Sequence, residues 1–309
     1  MTSGLYRITL VARRLTETRV EQASQRLQSW GVNLHESRWL GQNEAWCTEA
    51  TLGNISALSL ANSLREALPR SDVAVTPLTL TPDGRPVSDT KKLLCADMDA
   101  TIVEGESLDE VAARLDLGPE IAALTERAMR GELGFAEALI ERVAMLKGVS
   151  IELFDAVAEA LVPSPGAQTL IGTMRSHGAR CLLISGGFER IATRVASALG
   201  FDAAVANRLV LREGRLSGGL YLPLVDAARK AALLQAEAEA LGIDARESLA
   251  IGDGANDLDM IQAAGLGIAY QGKPRLKAAT AQQINHSDLT AALYFQGIAK
   301  ADWLEPNQD

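Results

Sequence analysis

The sequence predicts a doubly wound α/β domain, built on a parallel sheet and carrying a helical insertion, preceded by a small ferredoxin-like α+β domain. Three observations lead there. The first 78 residues alternate strand-like and helix-like patterns in the order β-α-β-β-α-β, which is the order of a small two-layer sandwich. After Lys91 short apolar runs alternate with helix-patterned stretches, the signature of a parallel sheet covered on both faces. An apolar fraction of 47% in 309 residues is enough to fill two interiors.

The elements are justified in turn. Leu5–Ala12 alternates and is rich in strand-forming residues, and Thr16–Trp30 carries Val20, Ala23, Leu27 and Trp30 at helical spacing. Strand-like runs follow at Leu34–Leu40 and Ala45–Leu52, then a helix-like stretch at Ile55–Leu68 and a strand at Asp72–Leu78. Leu80–Asp89 holds two prolines and a glycine among polar residues and reads as a linker, so the division is expected at 1–84 and 85–309. Lys92–Ala96 is an apolar run of the kind that forms a buried parallel strand. Similar runs recur at Arg180–Ile184, Ala203–Ala206, Ser248–Ile251 and Leu266–Ala269. Two segments interrupt the alternation. Ser107–Val162 is helical in pattern and is expected to form a cap over the sheet edge, and Asn207–Gly219 reads as a hairpin turning at Glu213–Gly214.

Charge and cysteine content narrow the function. A formal net charge of −9 repels nucleic-acid phosphates and anionic lipid, so neither is an expected partner. A small anionic substrate then requires local cations or a metal. Cys47, Cys95 and Cys181 are far apart and fit buried thiols in a reducing compartment. Arg7, Arg13 and Arg14 break the start of the chain, which lacks the apolar core of a secretion signal, and no run approaches the ~18 apolar residues of a membrane span. The expectation is a cytoplasmic protein.

In open α/β sheets ligands collect beyond the carboxyl ends of the strands. Three strands here end in conspicuous polar sequences: Asp97-Met98-Asp99-Ala100-Thr101, Ser185-Gly186-Gly187 and Gly252-Asp253-Gly254-Ala255-Asn256-Asp257. Asp97 and Asp99, two apart at a strand exit, can point into one crevice, where they repel unless a cation sits between them. Asp253 would complete an oxygen-only set suited to Mg²⁺. Asp97 could then act as a carboxylate nucleophile and Asp99 as acid and base. A lone Asp-x-Asp is more often a turn or a helix cap. The glycines after Ser185 allow close approach of an anion to backbone N–H groups, although Gly-Gly also makes ordinary turns. Lys230, in the helix-like stretch Asp226–Leu241, would ordinarily be solvated, but phosphoryl transfer needs a fixed cation. One capping residue would explain part of Gly252–Asp257, not three polar residues in five positions.

Together these segments and Lys230 resemble the four motifs of the haloacid dehalogenase superfamily of aspartate-nucleophile phosphatases. Over Lys91–Lys300 the chain is similar to that superfamily's phosphoserine phosphatase family, including the cap segment Glu126–Lys147 (ERAMRGELGFAEALIERVAMLK), Ser185–Glu189 and Ala206–Leu209. The resemblance implies an HAD-like core, Asp97 as nucleophile and Asp99 as acid/base. It also implies Mg²⁺ held by Asp97, the backbone carbonyl of Asp99 and Asp253. Thr101, Ser185, Gly186 and Lys230 would contact the phosphoryl group, with Gly187 beside them. Asn256 would contact substrate or water, and Asp257 would support the metal shell. In the cap, Glu106 would read a substrate amino group and Arg142 a carboxylate, with Met129 and Phe135 as apolar wall. One Glu and one Arg suit a zwitterion.

The implied activity is hydrolysis of O-phospho-L-serine, the last step of serine synthesis. One departure stands out: Ala100 occupies a position that is usually Ser in this family, and activity is expected to survive the change. The amino-terminal element order is similar to that of ACT-type amino-acid-binding domains, which implies a homodimer through that domain. Two other readings are a phosphatase or phosphotransferase acting on another small phosphometabolite, and a retired enzyme serving as an amino-acid-responsive regulator. A retired site has no reason to keep three mutually repelling acids.

Overall fold

The computed structural model describes residues 4–78, 90–129 and 132–304. The expected linker at Leu80–Asp89 and the 84/85 boundary lie outside the described residues, as does the side chain of Met129.

The amino-terminal elements are β1 (Leu5–Val11), α1 (Glu17–Ser29), β2 (Asn33–Gly41), β3 (Ala45–Thr51), α2 (Ala57–Ala67) and β4 (Asp72–Pro77). The strands are antiparallel in the order β2-β3-β1-β4. Thr16 and Ser56 cap α1 and α2 by accepting from Arg19 N–H and Ser59 N–H, the role their hydroxyls suit. Ala23, Leu27, Leu60 and Leu64 carry both helices onto one face of this sheet, against Ile8, Leu10 and Val73.

The second part contains β5 (Leu93–Ala96), α3 (Ser107–Ala113), α4 (Gly118–Met129), α5 (Phe135–Met145), α6 (Glu152–Ala160) and α7 (Ala167–Ser176). Next come β6 (Arg180–Phe188), α8 (Glu189–Leu199), β7 (Ala203–Asn207), β8 (Leu209–Arg212), β9 (Arg215–Leu220) and α9 (Ala227–Ala240). The series ends with β10 (Ser248–Gly252), α10 (Leu258–Ala263), β11 (Leu266–Tyr270), α11 (Pro274–Ala279), β12 (Gln282–Ile284) and α12 (Ala291–Phe295). All of β5, β10 and β11 are buried, as their apolar runs require of strands covered on both faces.

Parallel pairing gives the order β12-β11-β10-β5-β6-β7. The chain therefore reverses direction of winding between β5 and β10, and the crevice of such a sheet opens beyond the carboxyl ends of those two strands. Helices α3–α6 form the insertion expected between the first two strands. The β8–β9 hairpin turns at Glu213 and Gly214, both at positive φ, and braces the insertion through Gly148 N–H to Leu216 O and Ile151 N–H to Gly214 O.

The two sheets are continuous. β12 pairs antiparallel with β4 at Gln283 and Val73, which joins all ten strands into one sheet. The face of the amino-terminal sheet away from α1 and α2 packs against α12, where the Tyr294 hydroxyl leaves no room for a Cβ at Gly41. Asp72, fully buried, accepts from the backbone N–H groups of Asn285, His286 and Ser287 at 2.6, 3.1 and 2.7 Å. Arg7 donates to Gln296 O at 3.0 Å and Arg65 to Ala281 O at 3.0 Å.

Candidate active site

At the carboxyl end of β5 the chain leaves the sheet in a tight turn. Asp97 is extended (φ −69°, ψ 158°), Asp99 is extended, and Ala100 lies in the left-handed region at φ +51°. The Ala100 N–H closes the turn on Gly105 O at 2.8 Å. This backbone aims the Asp97 and Asp99 side chains into one crevice of about 270 Å³. Ala100 itself lines a separate cleft of about 930 Å³ between the amino-terminal sheet and the core, which holds none of the converging carboxylates.

Asp97 is almost fully buried, and its two oxygens differ. Oδ1 accepts from Met98 N–H at 2.8 Å and contacts Lys230 Nζ at 2.7 Å. Oδ2 makes no hydrogen bond among the described residues, and Asp97 lines the crevice. Lys230 reaches it from α9, which Asp226 caps by accepting from Arg229 N–H. Its ammonium is fully buried and also donates to Asp257 Oδ1 at 2.7 Å. Burial alone would lower the Lys230 pKa, but Asp97 and Asp257 outweigh it and hold the group above its ordinary value. Burial pushes Asp97 well above the usual carboxylate range, Asp257 adds to the push, and Lys230 opposes it.

Beyond β10, Asp253 lines the same crevice and Asp257 lies beneath it. Oxygens of Asp97, Asp253 and Asp257 can all lie within 4.8 Å of one another. Both Asp257 oxygens are occupied, by Lys230 and by Gly254 N–H at 3.0 Å. A Cβ at Gly252 would stand 2.4 Å from the Asp257 carboxyl, so this strand end must be glycine for the carboxyl to tuck under it. Burial raises the Asp253 pKa, and Lys273 opposes the rise. Asp99 is likewise raised by burial, opposed by the Ser107 N–H that donates to its Oδ1 at 2.8 Å.

At the second loop the sequence leaves an anion-approaching strand end and an ordinary Gly-Gly turn both open; β6 runs extended through Phe188, with an irregularity in its pairing to β7 between Ile184 and Phe188. Asn207 bridges this segment to the next: its amide donates to Gly186 O and its carbonyl accepts from Val225 N–H, both at 2.8 Å. A Cβ at Gly187 would lie 3.0 Å from Ser185 Oγ and 3.1 Å from Asp99 Oδ2, so Ser185 and Asp99 converge where that position has no side chain.

The insertion covers the crevice. Phe135, Leu139 and Arg142 of α5 line it, as do Glu106 and Leu108 at the start of α3. Asn256 is at the rim. Glu106 is half exposed, and burial pushes its carboxyl up to about 7, with Asp99 adding and Lys273 opposing. Thr101, Ser185, Lys230 and Asp257 form a buried layer behind the crevice. The Thr101 hydroxyl has no hydrogen-bond partner among the described residues.

Two residues of this region escaped the reading of the sequence. Asn207 sat inside the quoted stretch Ala206–Leu209 without a role. Lys273, whose side chain is 60% exposed, contacts Asp253 Oδ2 at 3.1 Å and Glu106 Oε1 at 3.7 Å. Its signal was available: it lies three residues beyond the end of the apolar strand β11, at the same edge of the sheet as Asp253.

A family model described as haloacid dehalogenase-like hydrolase matches residues 94–262, which spans β5 to α10 and all three strand-end loops. The chain belongs to this family. Among curated relatives it is 43% identical over 213 residues to phosphoserine phosphatase SerB2 of Mycobacterium tuberculosis, a match covering 69% of this chain and 52% of that one. It is 40% identical over 203 residues to phosphoserine phosphatase of Streptococcus thermophilus, covering 66% of this chain and 94% of the relative. The chain thus spans about half the length of the M. tuberculosis relative. A solved HAD-family hydrolase from Salmonella enterica serovar Typhi superposes with a TM-score of 0.79 at 28% identity, over 94% of this chain and 98% of its own. That likeness extends across both sheets. No helix among the described residues is long and apolar enough to cross a membrane.

Proposed function

We propose that this chain is a Mg²⁺-dependent phosphatase that hydrolyses O-phospho-L-serine to L-serine and phosphate through a phosphoaspartate on Asp97. The observation that carries the reading is the meeting of Asp97, Asp99 and Asp253 at the reversal point of the sheet, beneath an insertion that brings Glu106 and Arg142 to the same crevice. Both curated relatives described above bear the name phosphoserine phosphatase.

The residues fit a divalent cation. Lys230 pairs with Asp97 and Asp257 and the half-exposed Lys273 with Asp253, so four carboxylates, counting Asp99, face two ammonium groups and the cluster is short of cations. Asp97, Asp253 and the Asp99 carbonyl would hold Mg²⁺, an all-oxygen set of the kind it favours. Bound there, Mg²⁺ would neutralise carboxylate and phosphoryl charge.

Lys230 and Met98 N–H fix one oxygen of Asp97 and leave the other free to attack phosphorus. As the P–O bond to the seryl oxygen breaks, Asp99 delivers the proton that makes the hydroxyl of serine. Burial keeps that carboxyl more basic than a solvated one, which suits an acid working near neutral pH. Asp99, now ionised, takes a proton from water as the water oxygen attacks phosphorus. The acyl-phosphate bond breaks, phosphate leaves, and Asp97 is restored. Arg142 and Glu106 grip the carboxylate and ammonium of the substrate, and Phe135 and Leu139 exclude water.

Phosphate release should disappear in Asp97→Asn. Arg142→Ala should lower kcat/KM for phosphoserine far more than for an aryl phosphate; an equal loss on both would remove Arg142 as the reader of the carboxylate, and a wild-type protein inactive on phosphoserine would remove that substrate.

A further inference from the structure

Lys273 is the one cation of the crevice rim that touches both the core and the insertion, among the described residues. It stands at the amino end of α11, just before Pro274, and its backbone N–H donates to Asp253 O at 2.8 Å. That bond plants the root of the side chain beside the strand-end loop. Its ammonium then lies between Asp253 Oδ2 and Glu106 Oε1. Burial does not explain this placement, because the side chain is 60% exposed. The two carboxylates do.

Glu106 needs such a partner. It shares the crevice with Asp97, Asp99 and Asp253, and like charges at that range repel. The other cation lining the crevice, Arg142, donates its Nε–H to Ala138 O on its own helix. Without Lys273, the Glu106 carboxylate has no ion-pair partner among the described residues to hold it over the crevice, and it would swing toward solvent, away from any ammonium held beside the phosphoryl group.

We infer that Lys273 is a positioning residue for specificity: it holds Glu106 over the crevice so that a phosphomonoester bearing an ammonium group is preferred to one without. This rests on the phosphoserine reading. It separates two contributions to recognition, because Lys273 contacts Glu106 and Asp253 whereas Arg142 is anchored on its own helix.

The test compares O-phospho-L-serine with 3-phosphonooxypropanoate, which keeps the phosphate and carboxylate and lacks only the ammonium. In Lys273→Met the ratio of kcat/KM for the first over the second should fall about fivefold, the size of one ion-pair contact at a partly exposed site. Lys273→Arg should recover most of that ratio. In a Glu106→Gln background, Lys273→Met should change the ratio by less than about twofold, since the partner it positions is gone. Calorimetric binding of phosphoserine to Asp97→Asn should weaken by the same factor when Lys273→Met is added.

An unchanged ratio, or an undiminished effect in the Glu106→Gln background, overturns the inference and leaves the phosphatase reading standing. A parallel fall on both substrates also overturns it, by assigning Lys273 to Asp253 alone. A wild-type protein that does not turn over phosphoserine removes both readings.

Discussion

Lys230→Met is the most demanding perturbation of the buried layer. The wild-type ammonium makes 2.7 Å contacts with Asp97 and Asp257, and all three side chains are at most 6% exposed. Methionine fills the space with little change of volume, so the loss is electrostatic rather than a cavity. Removing one member of a buried ionic cluster costs about 3–5 kcal/mol, because the remaining charges have neither water nor partner. The cost must depend on pH. The Asp97 carboxyl is raised in the folded chain, so the folded state binds more protons than the unfolded one above the ordinary carboxylate range. Such a group contributes stability that is present at low pH and lost as pH rises through its folded pKa. Deleting Lys230 raises Asp97 further, so the variant's deficit should be largest near pH 8 and shrink toward pH 5. Mg²⁺ should restore part of it at pH 8. Urea unfolding of both proteins at the two pH values, with and without Mg²⁺, measures this. A deficit below about 1 kcal/mol, or one independent of pH, would refute the claim that Lys230 neutralises a buried carboxylate pair.

Other outcomes follow from the same geometry. Asp72→Ala strips the acceptor from three backbone N–H groups and should cost about 2–4 kcal/mol in urea unfolding, with Asp72→Asn costing less; a loss under about 1 kcal/mol would mean those amides find other partners. Ala100→Ser should leave kcat within about fivefold, because a neutral hydrogen bond is worth ~1 kcal/mol and this residue lines the wide cleft rather than the crevice of the carboxylates; a gain of several orders would contradict the placement. Glu106 is pushed up to about 7, so its carboxylate gains a proton as pH falls through that value. The KM for phosphoserine should therefore rise on acidification more steeply than the KM for 3-phosphonooxypropanoate, and Glu106→Gln should abolish the difference. Equal pH profiles in the wild type would dissociate Glu106 from the ammonium.

Much of this was legible because the decisive residues sit where the local pattern changes. Asp97 and Asp253 each follow a short run of apolar residues, and such runs suit strands covered on both faces, which is what they form. The insertion was legible as helical pattern without interleaved strands. What was not legible depends on partners remote in the chain. Asp72 reads as the polar start of a strand, yet its three donors lie 213 to 215 residues away. β12 is three residues long with two glutamines, too short and too polar to announce itself, although it makes the two sheets continuous. Lys273 reads as an ordinary residue before a helix-starting proline, and only the fold brings it to Glu106 and Asp253. Within the extended end of β6, Gly186 O accepts from Asn207, 21 residues away, a partner its local sequence does not announce.

The central claim is that one cation-dependent crevice cleaves a phosphoester through Asp97. Steady-state phosphate release from O-phospho-L-serine, measured with Mg²⁺ and again with a chelator, tests it most directly. Release that requires Mg²⁺ is the predicted result. No release with Mg²⁺ present, or equal release in the chelator, would contradict it.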